Sequence, residues 1–182
     1  MENNELKEKI DTLLNENKLR ENEDLIVSYI PEIRFMIGFE HNHPHHNLDV
    51  WNHTLKVLDG VQDEDLELKM AALLHDIGKP FSYQDEEVRH FHGHPEVSKN
   101  ISEKILKRLN YDEKFINDVC YLIKTHDIII DVNNLDNSYS MIMKRLKLQY
   151  ADAMAHNPKY VDKRIQLLDN IKKQLIEKNI ER

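Results

Sequence analysis

Little in this chain of 182 residues can bend it sharply or cross-link it, for it holds four glycines, five prolines and a single cysteine, Cys120. One cysteine forms no internal disulfide and builds no thiolate zinc knot, which excludes the disulfide-stapled and Cys-rich zinc classes. So few glycines and prolines argue against a turn-rich β architecture and for long helices. No apolar run approaches the roughly 20 residues that a membrane-spanning helix needs. The start, Met1-Glu2-Asn3-Asn4, lacks the basic and apolar blocks of a secretory signal. The expectation is a cytoplasmic protein with no membrane partner. A formal charge of −8 also excludes an extended nucleic-acid surface, because a broad grip on the backbone needs basic surface to release counterions. A small, locally held phosphate compound remains open.

With 40% hydrophobic and 32% charged residues, the chain has the composition of an ordinary globule and the length of one domain with a real core. One all-α domain over residues 1–182 is expected. Leu6, Ile10, Leu13 and Leu14 predict a first helix, and residues 22–30 a second that runs into Pro31, itself the start of a new turn. Gly38 ends that segment, and the polar loop 40–47 follows. Asp49 reads as the N-cap of a helix to about Asp59 with Val50, His53, Val57 and Val61 inward. A helix from about Asp65 turns His75 inward, and Phe81–Phe91 is an aperiodic excursion. Pro95 opens a helix with His94 at its threshold and Val97, Ile101, Ile105 and Leu109 as its buried stripe. Asp112 caps a helix that ends on an inward His126, and Ser138 or Ser140 starts another in which Leu148, Asp152 and Ala155 share a face. Pro158 resets the chain into a charged terminal helix ending near Ile180. Its run Lys159–Arg182 serves as a solvated face or a homodimer contact, since Asp162, Asp169 and Glu177 interrupt its positive charge.

What the chain does have is histidine, eleven in all, nine of them between positions 41 and 94. In Ala71-Ala72-Leu73-Leu74-His75-Asp76-Ile77-Gly78-Lys79-Pro80, an imidazole and a carboxylate stand side by side at the end of an apolar helix. Burying such a pair is costly unless it is paired, hydrogen-bonded or bound to a metal. The inward faces add His53, His94, His126 and Asp152, so six donors come from five separate segments. Histidine with carboxylate suits zinc, iron, manganese, nickel or cobalt better than calcium, with magnesium admitted.

The spacing of His53-Thr54, His75-Asp76 22 residues later, and a distant Asp152 resembles the HD-domain metal-dependent phosphohydrolases. The likeness covers about residues 29–156. It extends to the HD domain attached to some bacterial tRNA nucleotidyltransferases, through Ile30-Pro31-Glu32-Ile33, His46-Asn47-Leu48-Asp49-Val50-Trp51-Asn52-His53-Thr54-Leu55, Leu73 to Pro80, and Phe91-His92-Gly93-His94. The resemblance implies a helical bundle with a central metal site. It implies His53, His75, Asp76 and Asp152 as ligands, and His94 and His126 as holders of a second ion. About 28 residues precede the region, too few for a nucleotidyltransferase domain, so a free-standing HD domain without CCA addition is expected. The Gly-Tyr-Pro tripeptide of the cyclic-di-GMP phosphodiesterases and the synthetase domain of the guanosine-tetraphosphate enzymes are both missing.

In this reading one or two divalent ions activate water for phosphoester hydrolysis of a nucleotide or related small phosphate, such as a 2′,3′-cyclic nucleotide. Release of phosphate, pyrophosphate or triphosphate from a nucleotide is the alternative within the same class. A regulatory module that binds metal and nucleotide without turnover is a second class, and a helical scaffold with core histidines a third. Asp76 is expected to bridge two ions or to ligate one and orient water. Lys79 is expected either to hold a phosphate oxygen or to be a solvated helix-end cation, and His46 to touch phosphate or leaving group. His41, His43 and His45 are read as a polar loop, His90 and His92 as loop residues, and His156 as a support for Asp152 or a surface residue. Trp51 is read as core, although it and Tyr83 could stack on a base.

Overall fold

The computed structural model describes residues 3–61 and 65–180. Among them the chain forms α1 (Asn3–Asn15), α2 (Glu23–Tyr29), α3 (Val50–Gly60), α4 (Leu66–Leu74), α5 (His94–Arg108), α6 (Glu113–Thr125), α7 (Tyr139–Ala155) and α8 (Asp162–Ile180), with short 3-10 turns between. The fold is all-α, and two isolated bridges, Glu40 to Asp49 and Gln84 to His90, are the only β pairing among the described residues. Residues 181–182 of the basic run and the extreme start, Met1-Glu2, lie outside the described residues.

Helix starts follow the local chemistry. Asp49, Asp65, Asp112 and Ser138 each accept a hydrogen bond from the amide three residues on, satisfying one of the first-turn donors. Pro31, Pro95 and Pro158 each stand at the first or second position of a helical turn, where the missing N–H is no loss. Gly38 turns the chain with φ of +70°, ahead of the histidine loop.

Two apolar clusters hold the bundle. The larger joins α1 to α6 with the inner face of α7, through Ile26, Trp51, Leu73, Leu74, Ile105, Val119 and Leu148. Trp51 is a core residue as expected, its indole N–H donating to Glu23 Oε2 at 2.6 Å. The smaller cluster packs Ile142 and Leu146 of α7 against Leu168, Ile171 and Leu175 of α8. Thus α7 carries Asp152 between both clusters, and Lys144 ties it to Asp65 and Glu67 at the start of α4.

One expected stripe is displaced in its first half. In α5 Ile105 is buried as expected, as is Leu109 at the helix end, but Val97 and Ile101 are half-buried while His94, Ser98 and Ser102 take the inner face. The first turns face inward one position later because Ser98 Oγ accepts the Gly78 N–H at 2.9 Å. At Gly78 a Cβ would lie 2.5 Å from Ser98 N and 2.9 Å from the His94 carbonyl. Glycine thus lets the turn after α4 and the start of α5 touch backbone to backbone, which brings His94 toward Asp76.

Candidate functional site

Five helices and the turns between them deliver donors to one point. His53 comes from the middle of α3, His75 and Asp76 from the end of α4, His94 from the first turn of α5, His126 from the end of α6 and Asp152 from the last turn of α7. All six are buried. His53 Nε2 lies 2.9 Å from Asp152 Oδ1 and 3.6 Å from Asp76 Oδ2. His75 Nε2 lies 3.3 Å from Asp76 Oδ2 and 3.8 Å from Asp152 Oδ1. On the other side of Asp76, Oδ1 is 3.2 Å from His94 Nε2 and 3.9 Å from His126 Nε2. Asp76 therefore stands between two imidazole pairs, one facing each oxygen.

The rings are oriented by backbone. His75, His94 and His126 each donate Nδ1–H to the carbonyl three residues earlier, Ala72, Phe91 and Ile123, at 2.8, 3.0 and 2.6 Å. That fixes the tautomer and aims each Nε2 at the centre, as in histidines that ligate metal. His75 Nε2 and both carboxylate oxygens of Asp76 are buried without a hydrogen-bond partner. Lys79 Nζ, 2.8 Å from Asp76 Oδ2, supplies charge but lies off the direction that a hydrogen bond requires. Unpartnered buried oxygens facing imidazole nitrogens fit a divalent cation, and the atoms of His53, His75 and Asp76, and those of Asp76, His94 and His126, form two compact groups.

The two carboxylates act strongly on the rings around them. Burial disfavours charge on His75, yet the Asp76 and Asp152 carboxylates outweigh it and push the imidazolium up to about 10. Burial would also raise Asp76, but His75 and Lys79 hold it well below the usual carboxylate range. Burial likewise opposes ionisation of Asp152, and His53 and His75 reverse it. His126 is held neutral chiefly by burial.

Lys79 is not a solvated helix-end cation. It is buried, with Nζ 2.8 Å from Asp76 Oδ2 and 3.1 Å from His41 Nε2. His41 in turn is no part of a merely polar loop. It is buried, donates Nδ1–H to the Leu48 carbonyl at 2.8 Å and stacks on His46 with centroids 3.7 Å apart. Burial, then the Lys79 charge, lowers His41 to about 2, so its Nε2 accepts from the ammonium. His46 is also kept neutral by burial and by Lys79, and its ring meets His53 and His156 edge-on at 5.1 and 4.5 Å. His156 is half-buried, not a surface residue, and its Nε2 lies 3.7 Å from Asp152 Oδ1. His45 is exposed, as a loop residue should be. His90 and His92 stack on each other at the rim. Tyr83 packs against Phe39 and the Arg89 guanidinium.

Asp127 was not foreseen. It stands at the mouth, 3.3 Å from His94 Nε2 and 3.5 Å from His126 Nε2. Its loop is fixed by the Ile128 carbonyl, which accepts from Arg145 Nη2 at 2.5 Å and Gln149 Nε2 at 2.7 Å, both on α7. The signal was available, because His126-Asp127 is a second His-Asp doublet in the sequence. The centre opens into a cavity of about 360 Å³, lined by His46, Asp76, Lys79, His94, Asp127 and His156 among others.

The HD domain family model matches residues 45–165 of the chain. Similar proteins include the CC-adding tRNA nucleotidyltransferase of Thermus thermophilus, 33% identical over 116 residues, or 60% of this chain and 26% of that protein. Another is the A-adding tRNA nucleotidyltransferase of Deinococcus radiodurans, 36% identical over 104 residues, or 53% of this chain and 24% of that protein. The chain spans about a quarter of the length of these relatives.

Proposed function

The chain belongs to the HD-domain family, and from that premise we propose that it is a metal-dependent phosphohydrolase of nucleotides or related small phosphoesters. The observation that carries this reading is Asp76. Both oxygens of this buried carboxylate lack hydrogen bonds and face imidazole pairs, and the Lys79 ammonium beside Oδ2 leaves Oδ1 and the facing nitrogens unsatisfied, which is expensive to keep unless a further cation binds there. In this reading the whole chain, residues 1–182, is one HD-type domain, with α1 and α8 packed on the matched region.

His53, His75, Asp76 and Asp152 would hold one divalent ion, and Asp76, His94 and His126 a second. Nitrogen and carboxylate donors without thiolate suit iron, manganese, nickel, zinc or cobalt, with magnesium admitted. Such an ion, when bound, makes a coordinated water acidic and neutralises charge on phosphoryl oxygens. Lys79 balances the Asp76 charge and turns toward the cavity, where its ammonium can also meet a phosphate oxygen. His46 and His156, held neutral by burial, can donate to or accept from the phosphate and leaving group. Asp127, half-exposed beside His94 and His126, is placed to orient an attacking water.

A cavity of about 360 Å³ accepts a phosphate with its sugar. Opening of a 2′,3′-cyclic nucleotide is the favoured reaction, and release of phosphate or pyrophosphate from a nucleotide its neighbour. The test is turnover of 2′,3′-cyclic AMP, AMP and ATP by protein reconstituted with Mn²⁺ or Fe²⁺. At least one should be hydrolysed, and His75→Ala should abolish that hydrolysis. Metal-loaded protein that turns over none of them would leave a binding module in its place.

A further inference from the structure

Beside the cavity at the metal centre lies a larger groove of about 820 Å³, built on the turn between α7 and α8. It shares Asp127, Asp152 and His156 with the cavity, so the two are continuous. Its outer wall, which also carries Asp162 and Leu167, brings together three cations and an aromatic ring: Lys159, Lys163, Arg164 and Tyr160. None of these three cations has a carboxylate partner among the described residues, although Asp162 stands beside Lys163 in the chain. Lys163 and Arg164 also stand in the first turn of α8, where the helix dipole disfavours positive charge and only Asp162 offsets it. An unpaired cation cluster at that end of a helix is stabilised by an anion.

Tyr160 supplies a different contact. Its ring is 49% exposed and lies 4.7 Å from the His45 ring at 42°, so one face remains open to the groove. The turn is held rigidly against the histidine loop, because the Asn157 N–H donates to the His45 carbonyl at 2.7 Å and Asn157 Nδ2 to the Pro44 carbonyl at 3.1 Å. Tyr160 and the cations are therefore held at a fixed offset from Asp152.

We infer that this groove is a second binding subsite, which holds the adjoining phosphate and base of a short oligonucleotide whose reacting phosphoester sits at the His-Asp centre. Lys159, Lys163 and Arg164 meet the phosphate, and Tyr160 stacks on the base, a contact that every base can make. The subsite spans a nucleotide or two, in keeping with a net charge that excludes a broad grip on a polymer. It rests on the phosphohydrolase reading and narrows its substrate class from a mononucleotide to a short chain.

The test is binding of the dinucleotide pApA and of AMP to the full chain loaded with Mn²⁺, in the wild type, in the double variant Lys163→Glu/Arg164→Glu and in Tyr160→Ala. The wild type should bind pApA at least about tenfold more tightly than AMP, the scale of one base stack or one charge-assisted phosphate contact. The double variant should lose that preference while keeping its affinity for AMP within about twofold, and the salt dependence of pApA binding should fall by about two phosphate contacts. Tyr160→Ala should reduce the preference without changing the salt dependence. Equal affinity for pApA and AMP in the wild type, or a preference that survives the double variant, would overturn the inference. Hydrolysis of bis(p-nitrophenyl) phosphate by the same preparations separates this failure from failure of the phosphohydrolase reading, because that diester carries neither a second phosphate nor a nucleobase.

Discussion

Lys79 Nζ and Asp76 Oδ2 lie 2.8 Å apart on the turn after α4, and both side chains are buried. A short (i, i+3) pair at the centre of the donor cluster puts a fixed positive charge beside the carboxylate that faces four imidazoles. Removing one partner of such a pair leaves the other uncompensated, which is worth far more than the pair's own net contribution.

Lys79→Met should therefore destabilise the protein by about 3 kcal/mol in the presence of a chelator. Added Mn²⁺ should recover more stability in the variant than in the wild type, because Asp76 has lost its competing cation. Urea denaturation with EDTA or with Mn²⁺ measures both. A loss below about 1 kcal/mol, typical of a surface pair, would show that Lys79 does not balance Asp76.

Gly78 is the second point of leverage. Its φ is ordinary, so the need for glycine is one of space: a methyl group would meet the Ser98 amide and the His94 carbonyl at 2.5 and 2.9 Å. Gly78→Ala should destabilise by roughly 2 kcal/mol through overpacking and, by moving α5, weaken the His94 side of the site more than the His53 side. Melting temperature and metal stoichiometry together test this. A variant of wild-type stability would mean that α5 gives way at no cost.

Much of this site could be read from the chain, and the residues say why. Asp49, Asp112 and Ser138 are caps with one chemical purpose, and helical period then turns His53, His75, His126 and Asp152 inward. Period assigns a face; it does not bring faces together, and the convergence came from packing and from the family likeness. His41 departs from the expected polar loop because residues 38–49 have no period, so nothing local marks which of four histidines is buried. In α5 period correctly buries Ile105 and Leu109, but it places Val97 and Ile101 inside where the polar Ser98 and Ser102 stand, because the close approach at Gly78 turns them inward. Asp127 is marked by no period and by pattern alone, since the His-Asp doublet that singles out Asp76 recurs at His126-Asp127.

Away from the site, Glu32 accepts two hydrogen bonds from Arg108, at 2.6 and 2.9 Å, joining the turn after α2 to the end of α5. The guanidinium holds the Glu32 carboxyl below its ordinary value against a smaller opposing effect of burial. A lowered folded-state pKa means that the unfolded chain binds the proton first, so the stabilisation is present above the ordinary glutamate value of about 4.3 and is lost as pH falls through the lower folded value. Partial exposure limits it to about 0.5–1 kcal/mol. Glu32→Gln should be less stable than the wild type at pH 7 by that amount, and the gap should close as pH falls below about 4. A gap independent of pH would assign the effect to packing.

The central claim is that Asp76 is buried for a metal ion. Elemental analysis of untagged protein, wild type beside Asp76→Ala, tests it most directly. The account predicts about one to two equivalents of transition metal in the wild type, none retained by Asp76→Ala, and the same helical circular dichroism in both. A wild type that takes up no metal on reconstitution, or an Asp76→Ala variant that binds as much as the wild type, would contradict it.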